Sequence, residues 1–303
     1  VNVQRSWRNL MTVARLLWAA LSSWSEHRGA SMGAAIAFYT LFSMGPVLII
    51  AISIAGWFYG ENVARSELLN EVGALMGPNA TAAVAAVIDS SAFAPTVSWQ
   101  ALIAIGTSVF AATTVFNELK SSLDVIWGTR RHRHGTVFQQ AKARLLSFGI
   151  VVSTGFILLV SLLLSTALTL LQARYAGWFG EMLWLMDLAG TLLTSAVVTL
   201  LFAAIYKLLP DQIIPWRDVW LSAVITAALY MAGKTLLTLY LGTTAVGSAY
   251  GAAGALVLVL VWIFYAAQIF LYGAELAHQV TLYRRRQQEE RQHRAALERA
   301  DQA

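Results

Sequence analysis

Charged side chains vanish from this chain in long runs. No Asp, Glu, Lys or Arg occurs in 29–60, 90–117, 145–173 or 188–206, and from 219 to 274 only Lys234 is charged. A helix needs about 20 apolar residues to cross the hydrocarbon core of a bilayer. The first four runs therefore predict one span each and the fifth predicts two, at about 32–58, 97–119, 145–171, 185–207, 217–241 and 250–275. Two other segments have helical periodicity without a spanning run. Trp7, Leu10, Met11, Ala14, Leu17, Trp18, Leu21 and Trp24 recur at helical steps, with Arg5, Arg8 and Arg15 supplying charge. This predicts an interfacial helix lying on a leaflet, or a stripe packed on the bundle. Between 61 and 96, Val63, Leu68, Leu69, Val72, Leu75 and Met76 form one apolar face, Gly77-Pro78 ends that helix, and Ala80 to Ile88 forms a second one. That pair reads as a helical hairpin capping the outer mouth. The expected fold is an all-α integral membrane protein with six transmembrane helices. An interfacial segment occupies 1–28, the membrane domain 29–283 and a charged tail 284–303.

Composition agrees with that class. Apolar residues make up 58% and charged residues 12%, against about 45–50% and about 25% in soluble domains. Charge also orients the spans. Arg5, Arg8, Arg15 and Arg28 precede span one, Lys120, Arg130, Arg131, Arg133, Lys142 and Arg144 follow span two, and Arg284, Arg285 and Arg286 open the tail. The opposite linkers hold Glu61, Glu67, Glu71 and Asp89 against one Arg65, then Arg174 with Glu181, then no charge at 242–249. The positive-inside rule puts the basic set and both termini in the cytoplasm. The net charge of +5 is then mostly a topology signal. RRHRH at 130–134 reads as an orienting or lipid-touching cluster, so membrane lipids are the expected partners and nucleic acid is not. The first residues are amphipathic rather than a basic tip before an apolar core, unlike a cleavable signal peptide. There is no cysteine, which excludes disulfides and thiolate chemistry.

AIAFYTLFSMGPVL at 35–48, YKLLPD at 206–211, WRD at 216–218 and YGAAGALVLVLVWIFYAAQIFLYGAEL at 250–276 resemble the YihY/virulence-factor BrkB family of bacterial inner-membrane proteins. SLDVIWG at 122–128 fits as well, although relatives often carry Asn where this chain has Asp124. The resemblance covers about 20–285. It implies a six-span protein of the bacterial inner membrane. Members linked to serum resistance and to export of lipopolysaccharide precursors imply a role in the envelope, and the family also carries an old ribonuclease label.

An ionisable group at mid-span costs about 2.5–3.5 kcal/mol on insertion scales, so the few present are the leading site candidates. Lys234 lies well inside span five. It reads as a strut paired with a carbonyl or carboxylate, or as the counter-charge to an anionic solute. In span six, Tyr265, Gln268, Tyr272, Glu275 and Gln279 share one helical stripe. A stripe carrying Gln and Glu faces protein or water rather than lipid. Glu275, near the cytoplasmic end, reads equally as an interfacial carboxylate. Thr113, Asn117, Ser121 and Asp124 give span two a polar end. Pro215 and Asp218 suit the start of span five, the first because it needs no N–H there and the second because it complements the helix dipole. In span one, Gly29, Gly33 and Ala37 form a small-xxx-small face for close helix approach. Tyr39, Thr40 and Ser43 continue it with polar groups. Gly45-Pro46 is the expected hinge: Pro46 cannot donate to the carbonyl of Phe42, and Ser43 or a neighbouring helix is the candidate replacement donor. Span one is thus expected to be a central, bent helix, of a kind found in transporters and in ordinary bundles.

Three function classes follow. The first is a transporter or flippase for an amphipathic, anionic envelope molecule, with Lys234, Tyr39, Ser43, Tyr265, Gln268, Glu275 and Asn117 as substrate contacts. No Walker motif is present, so the chain carries no signature of ATP hydrolysis, and no cofactor is expected. The second is a non-transporting scaffold for envelope machinery, built on the hairpin and the tail. The third, nuclease activity, lacks the clustered carboxylates and His residues that hold catalytic cations, so neither a metal site nor an enzyme is expected. The Gly251–Gly254 spacing serves a homo-oligomer contact as well as an internal one.

Overall fold

The computed structural model describes residues 2–76, 78–91, 114–115, 117–129, 183–210, 212, 214–243 and 251–301. The described secondary structure is entirely helical: α1 (Asn2–Glu26), α2 (Gly29–Tyr59), α3 (Glu61–Met76), α4 (Pro78–Ser91), α5 (Leu183–Leu208), α6 (Trp216–Thr243) and α7 (Gly251–Asp301), plus a helical segment at 117–126. Three of these contain stretches long and apolar enough to cross a membrane: Gly190–Leu208, Trp216–Leu237 and Leu256–Arg299. This is an all-α membrane protein. Helices α2, α5, α6 and the first half of α7 fall on expected spans one, four, five and six. Span three, all of span two before its last turns, and the basic cluster at 130–134 lie outside the described residues.

Helix α7 is the axis of the bundle, and it touches each of the other six labelled helices. The largest core cluster gathers Ile36 of α2, Leu123, Ile126 and Trp127 of the 117–126 segment and its end, Ala203 and Tyr206 of α5, Val219 and Ala223 of α6, and Phe270, Leu271 and Ala274 of α7. Tyr206 is fully buried. Its hydroxyl donates to the carbonyl of Phe270 (2.8 Å), and its ring packs against Phe202 and Phe270. Gly273 makes this approach possible, because any side chain there would overlap the hydroxyls of Thr226 and Tyr206.

The residues that carry the family resemblance explain several boundaries. YKLLPD closes α5, and the ammonium of Lys207 donates to the carbonyl of Ile214 across the turn into α6. Asp218 is buried at the start of α6, where its N–H bonds to the carbonyl of Pro215 (3.0 Å) and its carboxylate pairs with Arg284 of α7. SLDVIWG ends its helix at Gly128, which has φ 61°. The N–H of Gly128 bonds to the carbonyl of Val125 (3.1 Å) and that of Thr129 to Asp124 (3.0 Å), the paired closure that favours glycine at this position.

Among the described residues α7, rather than α2, touches every other labelled helix. The face of α2 holding Gly33 and Ala37 is turned inward, with Ala37 buried, but Phe38, Phe42 and Trp57 are largely exposed. Gly45-Pro46 lies within α2, and the Ser43 hydroxyl donates to the carbonyl of Thr40 (3.1 Å) rather than to that of Phe42. Helices α3 and α4, in the region where a hairpin was expected, are joined by the Arg65–Asp89 ion pair and packed through Ala80, Val84 and Ile88 onto Ile52 of α2 and Val259 of α7. Val63, expected on its apolar face, is exposed. Beyond the membrane-length portion, α7 continues helically to Asp301 with exposed side chains at 285–299.

Gly273→Ala should lower stability by about 1–3 kcal/mol, the usual cost of overpacking a core. Thermal unfolding in detergent, set against Gly190→Ala at an open site, checks this.

Candidate functional site

The polar stripe of α7 meets a different partner at each level. Its outermost member, Tyr265, is half-buried, and its phenol lies directly on Gly233 of α6. That contact puts the hydroxyl beside the residue next to Lys234, itself half-buried. One turn further along, the Gln268 carboxamide covers Gly33 of α2, with Nε2 3.4 Å from the carbonyl of Ala30. Its Oε1 is buried and accepts no hydrogen bond. Tyr272 donates to the carbonyl of Leu17 in α1 (3.1 Å).

Glu275 is fully buried and is the hub of the inner end. Ser23 Oγ donates to one carboxylate oxygen (2.8 Å) and His27 Nδ1 to the other (2.6 Å). Both donors stand on α1 or at its end, one turn apart. Leu16, Leu17 and Ala20 press the same face of α1 onto Leu276 and Val280. The α1–α2 turn that holds this geometry passes through Arg28 at φ 57°, a left-handed conformation that costs a non-glycine residue roughly 1–2 kcal/mol. Serine and histidine each bond the carboxylate and not one another, so the trio clamps helices and forms no nucleophile–base pair.

The other expected contacts scatter. Tyr39 is 36% exposed and rests edge-on against Phe38 at 5.8 Å between ring centroids. Ser43 is buried and bonded within its own helix. Asn117 is exposed at the start of the 117–126 segment. The structure thus brings together Tyr265 and the Lys234 region, and separately gathers Gln268, Tyr272 and Glu275 against α1 and α2. Among the described residues no three His, Asp or Glu side chains gather as metal ligands.

A family model described as virulence factor BrkB matches residues 20–299. The chain belongs to the virulence factor BrkB family. Among relatives of this BrkB-family chain, a UPF0761 membrane protein of Acinetobacter baylyi is 24% identical over 85% of this chain and 59% of its own length. One from Azotobacter vinelandii is 29% identical over 60% of the chain and 43% of the relative. One from Ralstonia nicotianae is 25% identical over 93% of the chain and 62% of the relative. The chain thus spans at most about three-fifths of the length of these relatives. No solved structure matches it.

Sequence reasoning placed Glu275 on the right stripe but missed Ser23 and His27, which lie 252 and 248 positions away. The available signal was their spacing of one turn on the face of α1 that holds Ala20. Glu275→Ala in this BrkB-family chain should cost about 1–2 kcal/mol, because it removes the shared acceptor of two half-buried donors. Glu275→Gln, which still accepts one of them, should cost less. Melting in detergent together with protease sensitivity of α1 measures both effects.

Proposed function

We propose that this BrkB-family protein moves an amphipathic, anionic envelope molecule across the bacterial inner membrane, as a six-span carrier with both termini in the cytoplasm. The carrying observation is Lys234. It sits within the apolar stretch Trp216–Leu237, beside the glycine on which the Tyr265 hydroxyl rests. A cation in such a stretch costs about 2.5–3.5 kcal/mol on insertion scales, and its charge suits contact with an anionic headgroup during passage. Tyr265 orients the headgroup, and Tyr39 with the exposed Phe38 and Phe42 offers an aromatic flank for the apolar part. Asn117 belongs to the cytoplasmic mouth. Gln268, Ser43 and Glu275 act by positioning helices, because the hydrogen bonds they form end on the bundle itself. The asymmetric distribution of basic residues supports the orientation.

A scaffold is the second reading. It draws on the long exposed extension of α7, which presents Arg285, Arg286, Glu289, Glu290, Arg291 and Arg294 to any partner.

The two readings separate in an export complementation assay. Lys234→Ala should cut export by about thirtyfold or more, as removing one member of a desolvated charge pair costs 2 kcal/mol or more. Membrane abundance should stay unchanged, and Lys234→Arg should keep part of the activity. Removing 288–303, which spares the Asp218–Arg284 pair, should have little effect. Full export by the alanine variant would eliminate the lysine from the mechanism, and loss of function on truncation alone would favour the scaffold.

A further inference from the structure

Where α1 crosses α7, a groove of about 200 Å³ opens between them, lined by Thr12, Arg15, Leu16 and Ala19 of α1 and by Gln279, Leu282, Tyr283 and Arg286 of α7. Two guanidinium groups face this groove from different helices, 271 positions apart in sequence. Both arginines are exposed, and among the described residues neither forms an ion pair. Gln287 Nε2 donates to the Tyr283 hydroxyl (2.7 Å), which leaves the proton of that hydroxyl available to the groove. The nearest acids along α7, Glu289 and Glu290, lie about one turn beyond Arg286 and do not line it. Two planar cations, a phenol and a carboxamide form a donor-rich set, and guanidinium forks match phosphate oxygens.

We propose that this groove binds the phosphate of an anionic phospholipid headgroup in the leaflet on which α1 lies. The surface of α1 decides for a lipid over a free phosphate. Met11, Trp18 and Leu21 are 50%, 74% and 44% exposed and, with Ala14, form a stripe at helical steps flanking Arg15. An apolar stripe with an aromatic residue, beside a basic groove, is the pattern of a helix lying at the headgroup boundary. With Trp18 in the interface, Arg15 and Arg286 stand at the level of the phosphates. The groove is smaller than the about 300–1,000 Å³ of pockets that enclose a whole ligand, so it holds the headgroup and leaves the acyl chains in the bilayer. The same contact fastens α1 to the membrane next to the Glu275 clamp. This site is separate from Lys234, and its occupancy does not depend on whether the protein transports anything.

Native mass spectrometry of the full chain in a neutral detergent, titrated with phosphatidylglycerol, phosphatidylcholine or inorganic phosphate, tests the assignment. Wild type should retain one tightly held phosphatidylglycerol and no comparable phosphatidylcholine. Arg15→Gln and Arg286→Gln should each weaken that binding about fivefold, from about 1 kcal/mol per basic residue at an anionic surface, and the double variant about thirtyfold. Arg285→Gln, equal in charge loss but outside the groove, should retain the lipid, as should Lys234→Ala. All three arginines are exposed, so matching melting temperatures are expected and confirm that the variants fold. Retention of the lipid by the double variant overturns the proposal. So does equal weakening by Arg285→Gln, which would mark diffuse charge attraction. Competition by millimolar inorganic phosphate at equal affinity would overturn the lipid assignment in favour of a soluble phosphate.

Discussion

Polar groups carried by α7 are costly to leave unpartnered inside an apolar bundle, and that constraint organises much of what surrounds it. Water is not at hand in the hydrocarbon layer, so an unmatched amide, phenol or carboxylate costs free energy there. The helix answers level by level. Tyr265 rests on the glycine of α6, Gln268 lies over that of α2, Tyr272 bonds the backbone of α1, and Glu275 is gripped by Ser23 and His27. Replacing any one of them changes how a neighbouring helix sits, even without touching a solute.

Small residues supply the complementary half of this arrangement. Gly33, Gly233 and Gly273 stand where Gln268, Tyr265 and Tyr206 respectively come closest. Association between helices in a bilayer depends on close packing and interhelical hydrogen bonds, and polar side chains seated on glycine provide both at once. The conspicuous motifs YKLLPD and SLDVIWG also serve architecture, through the buried Tyr206, the Lys207 bond across the α5–α6 turn and the glycine closure at Gly128. Motif residues shared across a family therefore need not mark a reactive site.

Function is left with a smaller set of residues than the polar census of the chain offers. Lys234 stands in the apolar stretch Trp216–Leu237, and Arg15 and Arg286 line the groove between α1 and α7. In the two proposals made above, these cations are the groups that meet an anionic amphiphile.

The chain by itself determined the class, the helices and their rough ends, because an uncharged run about 20 residues long has few other stable uses and because Gly and Pro mark boundaries locally. It also determined that Tyr265, Gln268, Tyr272 and Glu275 share a face, since helical period is a local property. Only tertiary structure decided what meets that face. The face was expected to meet protein or water, and α1 and α2 cover the part that holds Gln268, Tyr272 and Glu275. Ser23, His27 and Arg15 lie some 250 positions or more from their counterparts on α7. No period or spacing along the chain encodes such a pairing, which arises from how amphipathic faces choose one another when the bundle closes.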